Sequence, residues 1–178
     1  MFRNILLGLD FSPAADRALD EAIDLAERHG GRLTILTAIP EVHGWAAGPC
    51  ESVTAANELN AQLEREACAL QHDAVARVPD DLPVSTVIRR ETARRALMDQ
   101  LKGGCYDGVV IGASDAGRLR CTRSLTRFLI RHAGVPVLVA SADGDAPRLH
   151  LPKGSEPSPP PSAAPEPGLR PAVPPPRP

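Results

Sequence analysis

The chain has 178 residues, of which 43% are hydrophobic and 3% aromatic, with a formal net charge of −2. That length suits one domain of ordinary size plus a remainder, and a core built from Leu, Val, Ile and Ala. The near-neutral balance gives no electrostatic argument for nucleic acid or an anionic membrane as a partner, and neither is expected. Cys50, Cys68, Cys105 and Cys121 form no C-x-x-C pair, so neither a zinc site nor a redox motif is expected. No run approaches the roughly 18 apolar residues that a membrane span needs. The opening MFRNILLGLDFSP carries one short apolar run that ends in an aspartate, unlike a signal peptide. The expected compartment is a reducing cytoplasm.

Taken in chain order, Ile5–Leu9 is a continuous apolar run, as a strand buried on both faces of a parallel sheet requires. Ser12 offers an N-cap hydroxyl and Pro13 a preset first turn for a helix. That helix carries Ala15, Ala18, Leu19, Ala22, Ile23 and Ala26 at helical spacing and stops at Gly30-Gly31. Leu33–Ile39 reads as a second strand, and residues 41–52 as a loop. A long helix follows with Leu59, Leu63, Ala67, Leu70 and Ala74 as its buried stripe. Val84–Ile88 reads as a third strand. Thr92 caps a short helix bearing Ala93, Ala96, Leu97 and Leu101, closed by Gly103-Gly104. Gly108–Gly112 is a fourth strand, Ser124–Ala133 the last helix and Val135–Ala140 a fifth strand.

The alternation predicts an α/β fold: an open five-stranded parallel sheet with helices on both faces. Right-handed crossovers favour the strand order 3-2-1-4-5. The domain is expected over 1–140. Residues 141–178 hold thirteen of the nineteen prolines, balanced charges and no apolar periodicity, so a disordered, proline-rich tail is expected there. In that order Val135–Ala140 is an edge strand, apolar on both faces and without charge, which calls for a covering partner.

Ligands of open α/β sheets bind beyond the carboxyl ends of the strands, where the strand order reverses. Here that crevice lies between the ends of strands 1 and 4, at Asp10 and Gly112. Asp10 suits either hydrogen bonds from ribose or adenine, or a local cap of the first helix. The loop GASDAGRLRCTRS enters the last helix, where free N–H groups and the positive dipole end suit phosphate. Ser124 and Thr126 offer hydroxyls, and Arg118, Arg120 and Arg123 offer positive charge. A basic solvated loop with Ser124 as N-cap is the plainer alternative. None of the five histidines stands in H-x-x-x-H or beside a nucleophile, and His132 suits a helix-end role. No G-x-S-x-G, phosphate-loop or paired-carboxylate pattern is present.

Together, ILLGLDFSPAADRALDEAIDLAERHGGRLTILTAIP and YDGVVIGAS…SLTRFLIRHAGVPVLVA resemble the opening and close of universal stress proteins. In that family the first strand ends in Val-Asp-Gly-Ser, and D-x-x-V-x-G leads through a loop to a Ser-x-Ser helix and His-Ala-x-x-Pro. The resemblance covers roughly residues 1–140 and implies a fold like that of the adenine nucleotide alpha hydrolases. Nucleotide-binding members carry Gly-x2-Gly-x9-Gly-Ser/Thr, which implies ATP as ligand, with Mg2+ accompanying it. On this chain the resemblance carries over Asp10 as the adenosine-side acid, Gly112 as the first glycine and Ser124 as the phosphate hydroxyl. Ser12, Ala38, Ser114, Gly117, Arg123 and Thr126 complete the expected nucleotide-binding set. Asp115 stands where the second glycine belongs and Arg123 replaces the third. Ungapped counting selects Thr126 as the hydroxyl, whereas the constant distance to His132-Ala133 selects Ser124. The resemblance also implies a homodimer paired through Val135–Ala140.

The functional expectation is a stress-response or signalling protein that binds ATP without being an enzyme, beyond weak hydrolysis at most. The alternative is a nucleotide-free adaptor of the same fold that acts on protein partners through its surface or tail. An enzyme of the ATP pyrophosphatase kind would need a Ser-Gly-Gly-x-Asp/Ser-Ser loop near its start, and GLDFSP does not match it.

Overall fold

The computed structural model describes residues 2–42, 51–113, 120–141 and 146–152, the side chains of 51–52 and 120–124 excepted. The elements are β1 (Asn4–Gly8), α1 (Ala15–His29), β2 (Arg32–Ala38), α2 (Glu51–Ala76) and β3 (Val84–Arg89). They continue with α3 (Ala93–Gly103), β4 (Gly108–Ala113), α4 (Arg120–His132), β5 (Val137–Ser141) and β6 (Arg148–His150).

Ile5, Leu6 and Leu7 of β1 have no solvent exposure, which demands cover on both faces and partners on both edges. β2 and β4 supply the edges: both run parallel to β1, with Ile5 opposite Leu33 on one side and Gly108 on the other. Alternation along the strands sorts the core into two layers. Ile5, Leu7, Ile35 and Val110 meet α1 and the end of α2 on one face. Leu6, Leu36, Val109 and Ile111 meet α3 and α4 on the other. Complete burial of one such aliphatic side chain contributes about 1.5–3 kcal/mol.

The sheet order is β3-β2-β1-β4-β5-β6. The first five strands are parallel in the expected order 3-2-1-4-5. The count of five is corrected to six. β6 runs antiparallel to β5, with Leu138 opposite Leu149, and it comes from the segment expected to be disordered. An apolar edge with unpaired N–H and C=O groups is a strong template, and three residues suffice to occupy it. Val135–Ala140 is therefore not the bare edge of the sheet: Val137, Leu138 and Val139 are paired within the chain on the side away from β4. The rest of the tail, 153–178, lies outside the described residues.

Helix boundaries depart from expectation where local polar chemistry intervenes. The Ser12 N–H donates to Asp10 Oδ1 at 3.0 Å, which turns the chain before the helix begins. The helix then starts at Ala15, whose N–H donates to the Ser12 carbonyl at 3.0 Å. Ala14 is the N-cap, and Ser12 Oγ is buried with no partner among the described residues, so Ser12 does not cap α1. At the other end Gly30 takes a left-handed φ of 57°, as a helix-stopping glycine does. Thr92 occupies the N-cap of α3 with extended backbone but no side-chain hydrogen bond. α4 begins at Arg120 rather than Ser124.

In α2 the expected stripe is partly wrong. Leu59 is 42% exposed, while Ala56, Ala67, Gln71 and Ala74 are buried. Small residues let the helix lie close to the sheet, and Gln71 uses the space. Its Nε2 donates to the Val87 carbonyl at 2.9 Å and to Thr37 Oγ1 at 3.2 Å, tying α2 to β2 and β3. Where β4 passes the start of α1, a Cβ on Gly112 would lie 2.8 Å from the Ala14 carbonyl oxygen. That approach admits only glycine.

Three outcomes follow from this packing. Gly112→Ala should lower stability by about 1–3 kcal/mol through overpacking, read as a fall in the thermal midpoint, and an unchanged midpoint would show that β4 moves aside freely. Gln71→Leu should cost about 1–3 kcal/mol by leaving the buried Thr37 hydroxyl unpaired, measured by urea titration. A chain ending at residue 145 loses β6 and should self-associate more strongly than the full chain in sedimentation velocity; identical behaviour would refute edge protection by β6.

Candidate functional site

The last bond of the β1–β2 seam runs from the Leu9 N–H to the Leu36 carbonyl at 2.9 Å. Asp10 is the first residue beyond it, and there β1 stands between β2 and β4, where the chain's two halves diverge. The crevice at this point is a cavity of about 50 Å³. Asp10, Ala38 and Gly112 line it together with Leu36, Leu97 and Leu125. Three residues of the expected set thus meet at one place, and Leu97 and Leu125 supply apolar walls that the sequence reading did not assign to the site.

Asp10 takes a local role, although not as the cap of α1, whose N-cap is Ala14. One carboxylate oxygen accepts the Ser12 N–H and shapes the turn, and Oδ2 has no bonded partner among the described residues. The side chain is exposed at the mouth. A carboxylate with one oxygen held and one open is a positioned acceptor for hydroxyl or amino donors.

The other expected residues do not converge here. Ser12 lines an adjoining depression of about 380 Å³ on the α1–α2 face, which shares Leu9 and Asp10 with the crevice and has Phe11, Asp16, Asp73 and Arg77 among its other walls. Arg77 pairs there with Asp16 and Asp20, each at 2.5 Å. Phe11 is 58% exposed beside Asp10. Its only sequence signal was Leu-Asp-Phe-Ser in place of Val-Asp-Gly-Ser. Ser114 and Gly117 lie outside the described residues. Arg123 and Ser124 belong to α4 by their backbone, and their side chains are likewise outside the description. Because α4 is helical from Arg120, Ser124 lies inside the helix and is not its N-cap. Thr126 lines a separate cavity between α4 and the β5–β6 edge, away from Asp10 and Gly112.

His132 takes the helix-end role: its Nδ1 donates to the Phe128 carbonyl at 2.9 Å, and its ring stacks on Phe128 at 4.4 Å. Among the described residues, no group of three His, Cys, Asp or Glu side chains could hold a metal ion. No helix among them is long and apolar enough to cross a membrane.

Comparison with known proteins agrees with this architecture. The sequence model of the universal stress protein family matches residues 1–141. A curated universal stress protein of Mycolicibacterium smegmatis is 33% identical over 149 residues, 80% of this chain. The chain spans about half the length of that relative, 49% of it. Among solved structures, universal stress protein UspA from Lactobacillus plantarum superposes with a TM-score of 0.62 at 26% identity, covering 78% of this chain and 97% of that one. A universal stress family protein from Burkholderia pseudomallei superposes at 0.61 and 23% identity, covering 78% and 95%. With the family's sequence signature spanning β1 to β5 and all four helices, the chain belongs to the universal stress protein family.

Proposed function

We propose that the crevice between β1 and β4 recognises the adenosine end of an adenine nucleotide, with ATP as ligand, and that binding serves signalling rather than turnover. The observation that carries this reading is the half-committed Asp10 carboxylate at the point of strand-order reversal. It sits beside the small residues Ala38 and Gly112, within one cavity. Polar recognition by one fixed acceptor and apolar walls from Leu36, Leu97 and Leu125 match a nucleoside's hydroxyl edge and aromatic base. Asp10 is the one titratable side chain among the described residues that line the crevice, which favours binding over proton transfer. Phosphates would extend toward the first turn of α4, where dipole and N–H groups favour anions, and Mg2+ would arrive with them.

Size favours a second reading. The crevice holds about 50 Å³, against the roughly 300–1,000 Å³ of ordinary small-molecule sites, so a nucleoside enters only if Leu97 or Leu125 swings outward. A nucleotide-free adaptor, acting in the cytoplasm on protein partners, would need no such opening.

Calorimetry separates the two. Wild type should give saturable heats with both adenosine and ATP. Asp10→Ala should weaken both alike, by about ten- to a hundred-fold, since it removes a hydrogen bond to a charged group. Absence of ATP heat at millimolar ligand would leave the adaptor reading, and a loss confined to ATP would place Asp10 on the phosphates instead.

A further inference from the structure

The β6 strand does more than occupy an edge. It closes one side of a cavity of about 310 Å³ whose other wall is α4. This space lies at the lower end of the range for small-ligand sites. Its floor is apolar: Ala113 at the end of β4, Val139 of β5, Ile130 of α4, and Ala146 just ahead of β6. Its rim is basic. Arg127 and Arg131 stand one turn apart on α4, and Arg148 and His150 face them from β6. No carboxylate stands among the described lining residues. Arg127 and Arg131 are exposed and have no ion-pair or hydrogen-bond partner among the described residues. Thr126 also lines the cavity, while its hydroxyl is buried away from the open space, without a partner among the described residues. A helical threonine ordinarily turns that hydroxyl to the carbonyl of the preceding turn.

We propose that this cavity is a binding site for a small amphiphilic carboxylate, its apolar body on the Ile130–Val139 floor and its carboxylate between Arg127 and Arg131. The reasons are complementary. Like charges one turn apart on α4 repel one another, and an anion offsets that repulsion. The floor rewards an apolar group, which a simple inorganic anion lacks. An aryl or short acyl carboxylate meets both conditions, and an amine of the same shape meets one. The site uses no residue of the Asp10 crevice, and it exists only because β6 folds back on β5.

The test uses the full chain and 1-naphthoate as probe, with 1-naphthylmethylamine as its cationic counterpart, followed by calorimetry. Naphthoate should bind saturably and the amine should not. Arg127→Gln and Arg131→Gln should each weaken naphthoate about ten-fold, the loss of one charge-assisted bond. Ile130→Phe, which fills the floor, should abolish binding while circular dichroism shows the fold intact. Asp10→Ala should leave naphthoate binding unchanged, separating this cavity from the crevice. Equal binding of the amine, no saturable naphthoate heat at millimolar concentration, or unaltered affinity in the Arg variants would overturn the proposal.

Discussion

The seam between β1 and β4 organises the molecule. These two strands are adjacent in space yet separated in sequence by residues 9–107, most of the domain, so their pairing closes the longest loop between neighbouring strands. It is fastened at both ends. At the lower end, Asp107 Oδ2 accepts the N–H groups of Arg3 and Asn4 at 2.8 and 2.9 Å, holding the entry of β1 against the entry of β4. At the upper end, Gly112 brings β4 against the Ala14 backbone, closer than any side chain allows. With both ends held, the position of Asp10 is set by the sheet rather than by its own loop.

The parts that could be read from residues alone are those governed by burial. Ile5–Leu9 and Gly108–Gly112 are uninterrupted apolar runs, and no alternative satisfies them except strands covered on both sides. Strand order followed from crossover handedness. What escaped was governed by polar groups acting locally or across long distances. The Asp10 carboxylate captures the Ser12 N–H and delays α1, which the cap-and-proline signature at 12–13 concealed. Gln71 interrupts an apolar pattern, yet it is buried because Thr37 and the Val87 carbonyl wait for it on other elements. β6 is a three-residue strand in proline-rich surroundings, and only the vacancy beside β5 makes it a strand.

The phosphate-side residues show the same limit at the scale of one helix. Adjacent helical residues point about 100° apart, so spacing errors of one or two residues move a side chain to another face. Leu125 lines the crevice and Thr126 the cavity on the far side of α4. Counting along the chain could not choose between Ser124 and Thr126, because the choice depends on where α4 begins. It begins at Arg120, earlier than a serine cap suggests.

The antiparallel direction of β6 settles where the remainder of the chain departs. His150 lies opposite Val137, at the entry of β5, so Leu151 and Pro152 leave from the pole of the sheet opposite to Asp10. The proline-rich continuation is thus tethered at the far end of the molecule from the crevice.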